Sequence, residues 1–298
     1  MADLGFDGRV AIITGAGGGL GRAHALLLAA RGAQVVVNDL GGSVSGDGRD
    51  AGPAHATAKE IVDLGGIAVA DANSVATPEG GQAIVDAALV AFGRVDIVIN
   101  NAGILRDKTF HNMTPDLLDA VIDVHLKAAF HVTRPAWIKM REQGYGRVLN
   151  TSSNSGILGH FGQSNYGAAK MGLVGLTRVL AIEGARYNIK ANAIAPVART
   201  RMTEELLGPI NKHLDPTLVS PIAAWLVHED CPVTGEIYSA AGGRIARFFF
   251  GLTHGYYNPE LTLEDVRDHF DEIRDETGYI VPRGTQDELA QLQERFGD

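Results

Sequence analysis

The stretch Val10-Ala11-Ile12-Ile13-Thr14-Gly15-Ala16-Gly17-Gly18-Gly19-Leu20-Gly21 decides the fold. Its first half is a short apolar run that reads as a buried strand, and the glycines lead into an amphipathic segment, Leu20–Arg31. Glycines permit a tight turn and let the backbone approach a pyrophosphate. The helix that follows offers its N-terminal N–H groups and the positive end of its dipole to the anion. A glycine-rich turn alone is a weak signal, and a tight turn with no ligand is the competing reading. The strand–turn–helix setting is what gives it weight.

Outward from this loop, apolar runs alternate with longer amphipathic segments. Val10–Thr14, Gln34–Asp39, Ile67–Ala70, Val95–Asn100, Arg147–Thr151, Ile189–Ile194 and Glu236–Ala240 read as seven strands. Most are continuously apolar, as strands are when both faces of a parallel sheet are covered. Leu20–Arg31, Ala54–Leu64, Pro78–Phe92, Pro115–Glu142 and Gln163–Tyr187 read as the helices between them. The order predicts an α/β protein, a doubly wound seven-stranded parallel sheet with helices on both faces. Residues 1–247 form the expected catalytic domain, and 248–298 a helical C-terminal extension packed on it, with Thr262-Leu263-Glu264-Asp265 as a helix-start signal. Gly41–Pro53 reads as a turn-rich loop, and Thr200–Val227 as an insertion with several short helix signals.

The second strand ends Val37-Asn38-Asp39. An acid there accepts hydrogen bonds from the adenosine ribose hydroxyls and repels a 2′-phosphate, which predicts NAD over NADP. A solvated loop carboxylate is the alternative.

Composition narrows the function. The 298 residues carry 26 basic and 35 acidic side chains, a net of −9, which argues against a nucleic-acid partner. One cysteine, Cys231, allows no intramolecular disulfide and suits a reducing compartment. There is no signal-peptide pattern at Met1–Asp7, no run long enough to span a membrane, and the chain closes Arg295-Phe296-Gly297-Asp298 rather than on a Ser-Lys-Leu address. A cytoplasmic location is the expectation.

Chemistry concentrates in Gln163-Ser164-Asn165-Tyr166-Gly167-Ala168-Ala169-Lys170. On a helix, Tyr166 and Lys170 share a face one turn apart. A neighbouring ammonium favours the phenolate, so the pair is expected to lower the tyrosine pKa and permit proton exchange with an alcohol or carbonyl. Such a pair also occurs by chance in many helices.

Taken together, these motifs resemble the short-chain dehydrogenases/reductases over about residues 8–245. The matching stretches are Thr14–Gly21, Asn100-Asn101-Ala102-Gly103, Ser153 placed 13 residues before Tyr166, Tyr166-x-x-x-Lys170, and Asn192-Ala193-Ile194-Ala195-Pro196. The resemblance implies a Rossmann-type fold, NAD as cofactor, and no metal. Tyr166 becomes the general acid/base, Lys170 its partner, and Ser153 the group that orients the substrate oxygen, with Ser152 and Ser155 as competing hydroxyls. It places the cofactor against Gly15, Gly19, Leu20, Gly21, Asp39, Asn73, Ser74, Asn101, Ala102, Gly103, Tyr166, Lys170, Pro196 and Thr200. Asn101 is expected to tie the fourth strand to neighbouring backbone. Where many members carry a relay asparagine, Asp123-Val124-His125-Leu126-Lys127 carries His125; imidazole can also pass a proton, or it can simply be satisfied by backbone.

Asn38–Gly42, Asn101–Asp107, Gly162–Tyr166, Ala181–Gly184 and His125 are similar to one branch. That branch holds the (3R)-hydroxyacyl-CoA dehydrogenase domains of peroxisomal multifunctional β-oxidation enzymes (17β-hydroxysteroid dehydrogenase type 4). It implies an acyl-CoA or steroid-derived CoA ester as substrate, with Arg199, Arg201, Arg244 and Arg247 as candidates for the CoA phosphates. Another alcohol or steroid dehydrogenase, or a non-catalytic NAD sensor, are the alternatives. The Gly-, Ala-, Leu- and Val-rich helix from Tyr166 to Ala185 predicts a homodimer or homotetramer.

Overall fold

In the computed structural model, residues 4–201 and 208–296 are described. Met1–Asp3, residues 202–207 of the Thr200–Val227 insertion, and Gly297-Asp298 lie outside the described residues. The chain forms two compact units, Met1–Arg247 and Phe248–Asp298.

The larger unit is built on a sheet of β1 (Val10–Thr14), β2 (Gln34–Asn38), β3 (Ile67–Asp71), β4 (Ile97–Asn100), β5 (Gly146–Thr151), β6 (Ile189–Val197), β7 (Ile237–Ala241) and β8 (Arg244–Phe248). The spatial order is β3-β2-β1-β4-β5-β6-β7-β8. Pairings from β3 through β7 are parallel. Continuous apolar strands suit this arrangement because successive residues enter opposite cores. Ala11, Ile13, Val35, Val37, Ile97 and Ile99 face one cluster, and Val10, Ile12, Val36 and Val98 face the other. The first core is closed by α1 (Gly19–Ala30) and α2 (Gly52–Asp63), which contribute Ala25, Leu28, Ala54 and Ile61. The second is closed by α3 (Pro78–Phe92), through Ile84, Val85 and Ala88.

Three differences from the sequence reading matter. The sheet has an eighth strand. Arg244-Ile245-Ala246-Arg247-Phe248 lacks a buried apolar run because it forms the edge, with Arg244, Ile245 and Arg247 exposed. It follows β7 through Gly242-Gly243, both at positive φ, a two-residue connection that joins antiparallel neighbours.

Second, the segment expected as one helix over Pro115–Glu142 is interrupted. It divides into α4 (Pro115–Ile122) and α5 (Ala128–Gln143) around a π-helical turn, Asp123–Lys127. Such wide turns gather at functional sites; this one buries His125. The Asp123–Lys127 ion pair, 2.7 Å, spans it on the outside.

Third, a short helix α6 (Asn154–Leu158) follows β5, before α7 (Ser164–Gly184). The Thr200–Val227 insertion holds 3₁₀ turns at Gly208–His213 and Pro216–Leu218 and then α8 (Ser220–Val227). In the smaller unit, α9 (Leu263–Asp268) opens with a capping box in which the Thr262 and Asp265 side chains cap each other's backbone N–H groups. It is followed by α10 (Phe270–Ile273) and α11 (Thr285–Phe296).

Candidate active site

The strand order reverses between β1 and β4, and the loops at their carboxyl ends create the crevice where such sheets take ligands. Glycine in this crevice is dictated by backbone contact. Gly15 has φ +64°, and a Cβ there would lie 2.8 Å from the Cα of Ala102. A Cβ on Gly21 would sit 2.3 Å from the Gly15 carbonyl oxygen. Asn101 closes the seam: its side-chain amide donates to the carbonyls of Thr14 (3.0 Å) and Gly15 (3.2 Å). The Thr14 hydroxyl accepts from the backbone N–H of Asn101 and of Ala102. Asn101 therefore knits two loops, as expected, and Thr14 is a partner in this that sequence reasoning missed.

The N-terminus of α1 has Gly18 as its cap and no side chain hydrogen-bonded to it, and a Cβ on Gly18 would meet nothing within 4 Å. An uncapped helix start beside open space fits a diphosphate. Thr200 lies above this start, its Cγ2 3.4 Å from where a Gly19 Cβ would be. Asp39 takes backbone N–H bonds from Gly17 (2.8 Å) and Gly41 (2.7 Å), so its carboxylate is aimed by the loop on either side. Asn73 is held by Asp71 and by Asn38, whose side-chain amide donates to its carbonyl, and the Ser74 hydroxyl accepts from Ala76 N–H. Pro196 pairs with Ala240 near the end of β6. Gly loop, acid and β3 end thus line one side of the crevice, and they fit a dinucleotide.

The proton-transfer groups gather on α7, β5 and the π-helical turn. Lys170 is buried, and its Nζ donates to the Thr151 carbonyl at 2.6 Å and lies 5.5 Å from the centre of the Tyr166 ring. Ser153 caps α6, accepting from Ser155 N–H at 3.1 Å, and its hydroxyl reaches the Tyr166 phenol. Ser152 is used otherwise: its hydroxyl donates to the Lys170 carbonyl at 2.8 Å.

The expected lowering of the tyrosine pKa is not met. Burial pushes the Tyr166 phenol above its ordinary value, and nearby Asp107 pushes in the same direction; only the Ser153 hydrogen bond opposes them. Burial also lowers Lys170 to about 7. Sequence reveals the neighbour but not the desolvation, and here desolvation dominates both groups.

His125 faces this pair. Its ring meets the Tyr166 ring edge-on, with centroids 5.1 Å apart. Its Nε2 lies 2.7 Å from the Ile104 carbonyl oxygen and 3.0 Å from the Ile104 N–H. Its Nδ1 is buried and has no hydrogen-bond partner among the described residues. A cavity of about 10 Å³ is lined by His125, Lys170, Asn100 and Thr14 among others; that is room for about one water molecule. Burial and the Lys170 charge hold the imidazole well below its usual pKa, so it is neutral. Gly103 is small for this reason, since a Cβ there would fall 2.4 Å from His125 Cε1.

A family model described as short chain dehydrogenase matches residues 9–208. The chain belongs to the short chain dehydrogenase family. Within that family it is 46% identical over 296 residues to peroxisomal multifunctional enzyme type 2 of Mus musculus, across 98% of this chain and 40% of that protein. A hydroxyacyl-CoA dehydrogenase of Mycobacterium tuberculosis is 43% identical over 217 residues, 68% of this chain and 65% of that one. Among solved structures, full-length peroxisomal multifunctional enzyme type 2 from Drosophila melanogaster superposes with a TM-score of 0.83 at 38% identity, over 98% of this chain and 50% of that one. The chain thus spans less than two thirds of the length of each. The short chain dehydrogenase relatives support an oxidoreductase acting on CH–OH groups, and the fold suits a nicotinamide dinucleotide. No helix among the described residues is long and apolar enough to cross a membrane.

Proposed function

We propose that the protein oxidises a (3R)-hydroxyacyl-CoA to the 3-ketoacyl-CoA with NAD. The observation that carries this is the convergence of Ser153, Tyr166 and Lys170 beside a glycine loop whose flanking acid is Asp39. The CoA ester rests on the likeness to hydroxyacyl-CoA dehydrogenases.

Gly15–Gly21, Asp39, Asn73, Ser74, Asn101–Gly103, Pro196 and Thr200 would hold the dinucleotide. NAD, when bound, supplies the acceptor for the hydride from the carbinol carbon. The protein's own work is orientation and proton movement. Ser153 Oγ donates to the substrate oxygen. In oxidation Tyr166 Oη takes the hydroxyl proton as its own phenol proton passes on, and in reduction it gives its proton to the ketone oxygen. With the phenol raised by burial, Tyr166 needs an exit for that proton, and Lys170 with neutral His125 across the small cavity provides one. NAD is favoured over NADP because the loop Thr14–Gly21 has no Lys or Arg and Arg22, the next residue, is paired bidentately with Glu60.

Of the four arginine candidates for the CoA phosphates, Arg247 is paired with Glu236 at 3.3 Å and Arg244 reaches Ser239, while Arg199 and Arg201 are both exposed. Exposed Val179 and Ile182 on α7 support self-association into a dimer or tetramer. The test is NADH production from a panel of 3R- and 3S-hydroxyacyl-CoAs with a free steroid alcohol included. Turnover of the 3R thioesters alone supports the reading; turnover of the steroid alcohol alone replaces it with a hydroxysteroid dehydrogenase.

A further inference from the structure

Helix α7 begins without help from the residue at its N-cap. Gln163 stands there, but its side-chain amide reaches away to donate to Asp107 at 2.7 Å. The capping duty passes to Asn165, just inside the helix. Its Oδ1 accepts the backbone N–H of Tyr166 at 2.8 Å. Its Nδ2 donates to the carbonyls of Arg106 (2.9 Å) and Leu117 (3.0 Å). Asn165 is 1% exposed, and this amide bonds to the backbone of three separate segments. A buried amide so engaged fixes the backbone it touches, because leaving any one group unpaired carries the full desolvation cost.

The anchor is itself anchored. Arg106 donates through Nε to the Ser45 carbonyl at 2.9 Å, and Leu105 N–H donates to the Val44 carbonyl at 2.9 Å. The tip of the loop after β2, Val44–Asp47, therefore lies on Ile104–Arg106, where a Cβ on Gly46 would sit 3.0 Å from Ile104. The same loop starts at Gly41, whose N–H donates to Asp39. One hydrogen-bonded line runs from the acid of the cofactor side, through the loop and Arg106, to the backbone of Tyr166.

We infer that Asn165 is the positioning residue of Tyr166, held in place by the Val44–Asp47 loop tip through Arg106. This rests on the reading of Tyr166 as the proton-transfer group. Asn165 touches no reacting atom; it sets where the phenol stands relative to Ser153 and Lys170. A small displacement of such a group costs on the order of tenfold to a hundredfold in rate.

The experiment compares wild type, Asn165→Ala and Arg106→Ala in kinetics and in the titration of the Tyr166 phenol, followed by NMR with label at tyrosine Cζ and assigned by the signal lost in Tyr166→Phe. The expected result for Asn165→Ala is a fall in kcat of about tenfold or more with KM for NAD within about twofold, and a Tyr166 midpoint that moves down toward its ordinary 10.0 as water reaches the phenol. Arg106→Ala, which keeps the carbonyl but frees the loop tip, should move both readouts the same way by less. An unmoved midpoint, or a loss of kcat matched by an equal rise in KM for NAD, would reduce Asn165 to a structural cap and overturn the inference. If Asn165→Ala does not fold, Arg106→Ala decides by the same criteria. The titration needs no substrate, so it stands even if wild type oxidises no CoA ester.

Discussion

The His125 imidazole and the Ile104 backbone are bound to each other, with Nε2 2.7 Å from the carbonyl oxygen, while the buried Nδ1 has no hydrogen-bond partner among the described residues. Backbone satisfies one nitrogen and leaves the other without a hydrogen bond, and on the proposed relay reading that second nitrogen exchanges the proton. His125→Ala is expected to lower kcat about tenfold, at the weak end of what positioned proton transfer contributes, with NADH affinity unchanged. Because the imidazole is held neutral, wild type should show no limb from it near pH 6.5. Gly103→Ala should be as damaging by pushing the ring, yet add little in the His125→Ala background, where the clash is gone. Steady-state kinetics of the two singles and the double check this; additive losses would separate the two positions.

Tyr166→Phe should reduce turnover about a thousandfold or more while NADH still binds, since the glycine loop and Asp39 do not depend on the phenol. Fluorescence titration with NADH alongside the kinetics separates the two effects. Retention of most of the activity would assign the proton to another group.

On the proposed reading that Asp39 meets the adenosine ribose, a 2′-phosphate would sit beside its carboxylate. Like charges about 4 Å apart cost roughly 1 to 4 kcal/mol between water and a protein surface, so kcat/KM should favour NAD over NADP by about tenfold or more. Asp39→Asn keeps one acceptor for Gly17 or Gly41 N–H and removes the charge; the preference should shrink. Comparable wild-type efficiency with both cofactors would defeat the assignment.

Lys170 predicts a stability change with pH. Its pKa falls from 10.5 to about 7 on burial. Between these values the unfolded chain holds the proton and the folded chain does not, so the contribution of this group to stability rises with pH across that window and is flat outside it. The difference in melting temperature between wild type and Lys170→Met should climb from about pH 7.5 to about pH 9.5, inside that window. A difference that stays constant would mean Lys170 remains charged in the folded protein.

Seven strands and the placement of the glycine loop, Ser153, Tyr166 and Lys170 were legible in the sequence because each is a local pattern repeated in the physics of a two-faced sheet. Strand β8 was not, since an edge strand carries arginines where an inner one carries valines. The direction of the Tyr166 pKa was misread because burial is set by residues distant in the chain. Asn165 escaped for the same reason: its partners Arg106 and Leu117 are 59 and 48 positions away, and only the fold brings them to its amide. Its signal, a polar residue on the inward side of the first turn of a helix without a conventional cap, is visible only once the helix start is known.

The π-helical turn at Asp123–Lys127 makes chain length itself part of the site. A regular helix advances about 100° per residue, so deleting one residue from this turn would let α4 run straight into α5 and swing His125 away from Ile104. Homologous chains should therefore tolerate substitution here better than a one-residue gap. A single-residue deletion variant that folds with its imidazole turned outward would remove the proposed proton exit without substituting any residue of the site.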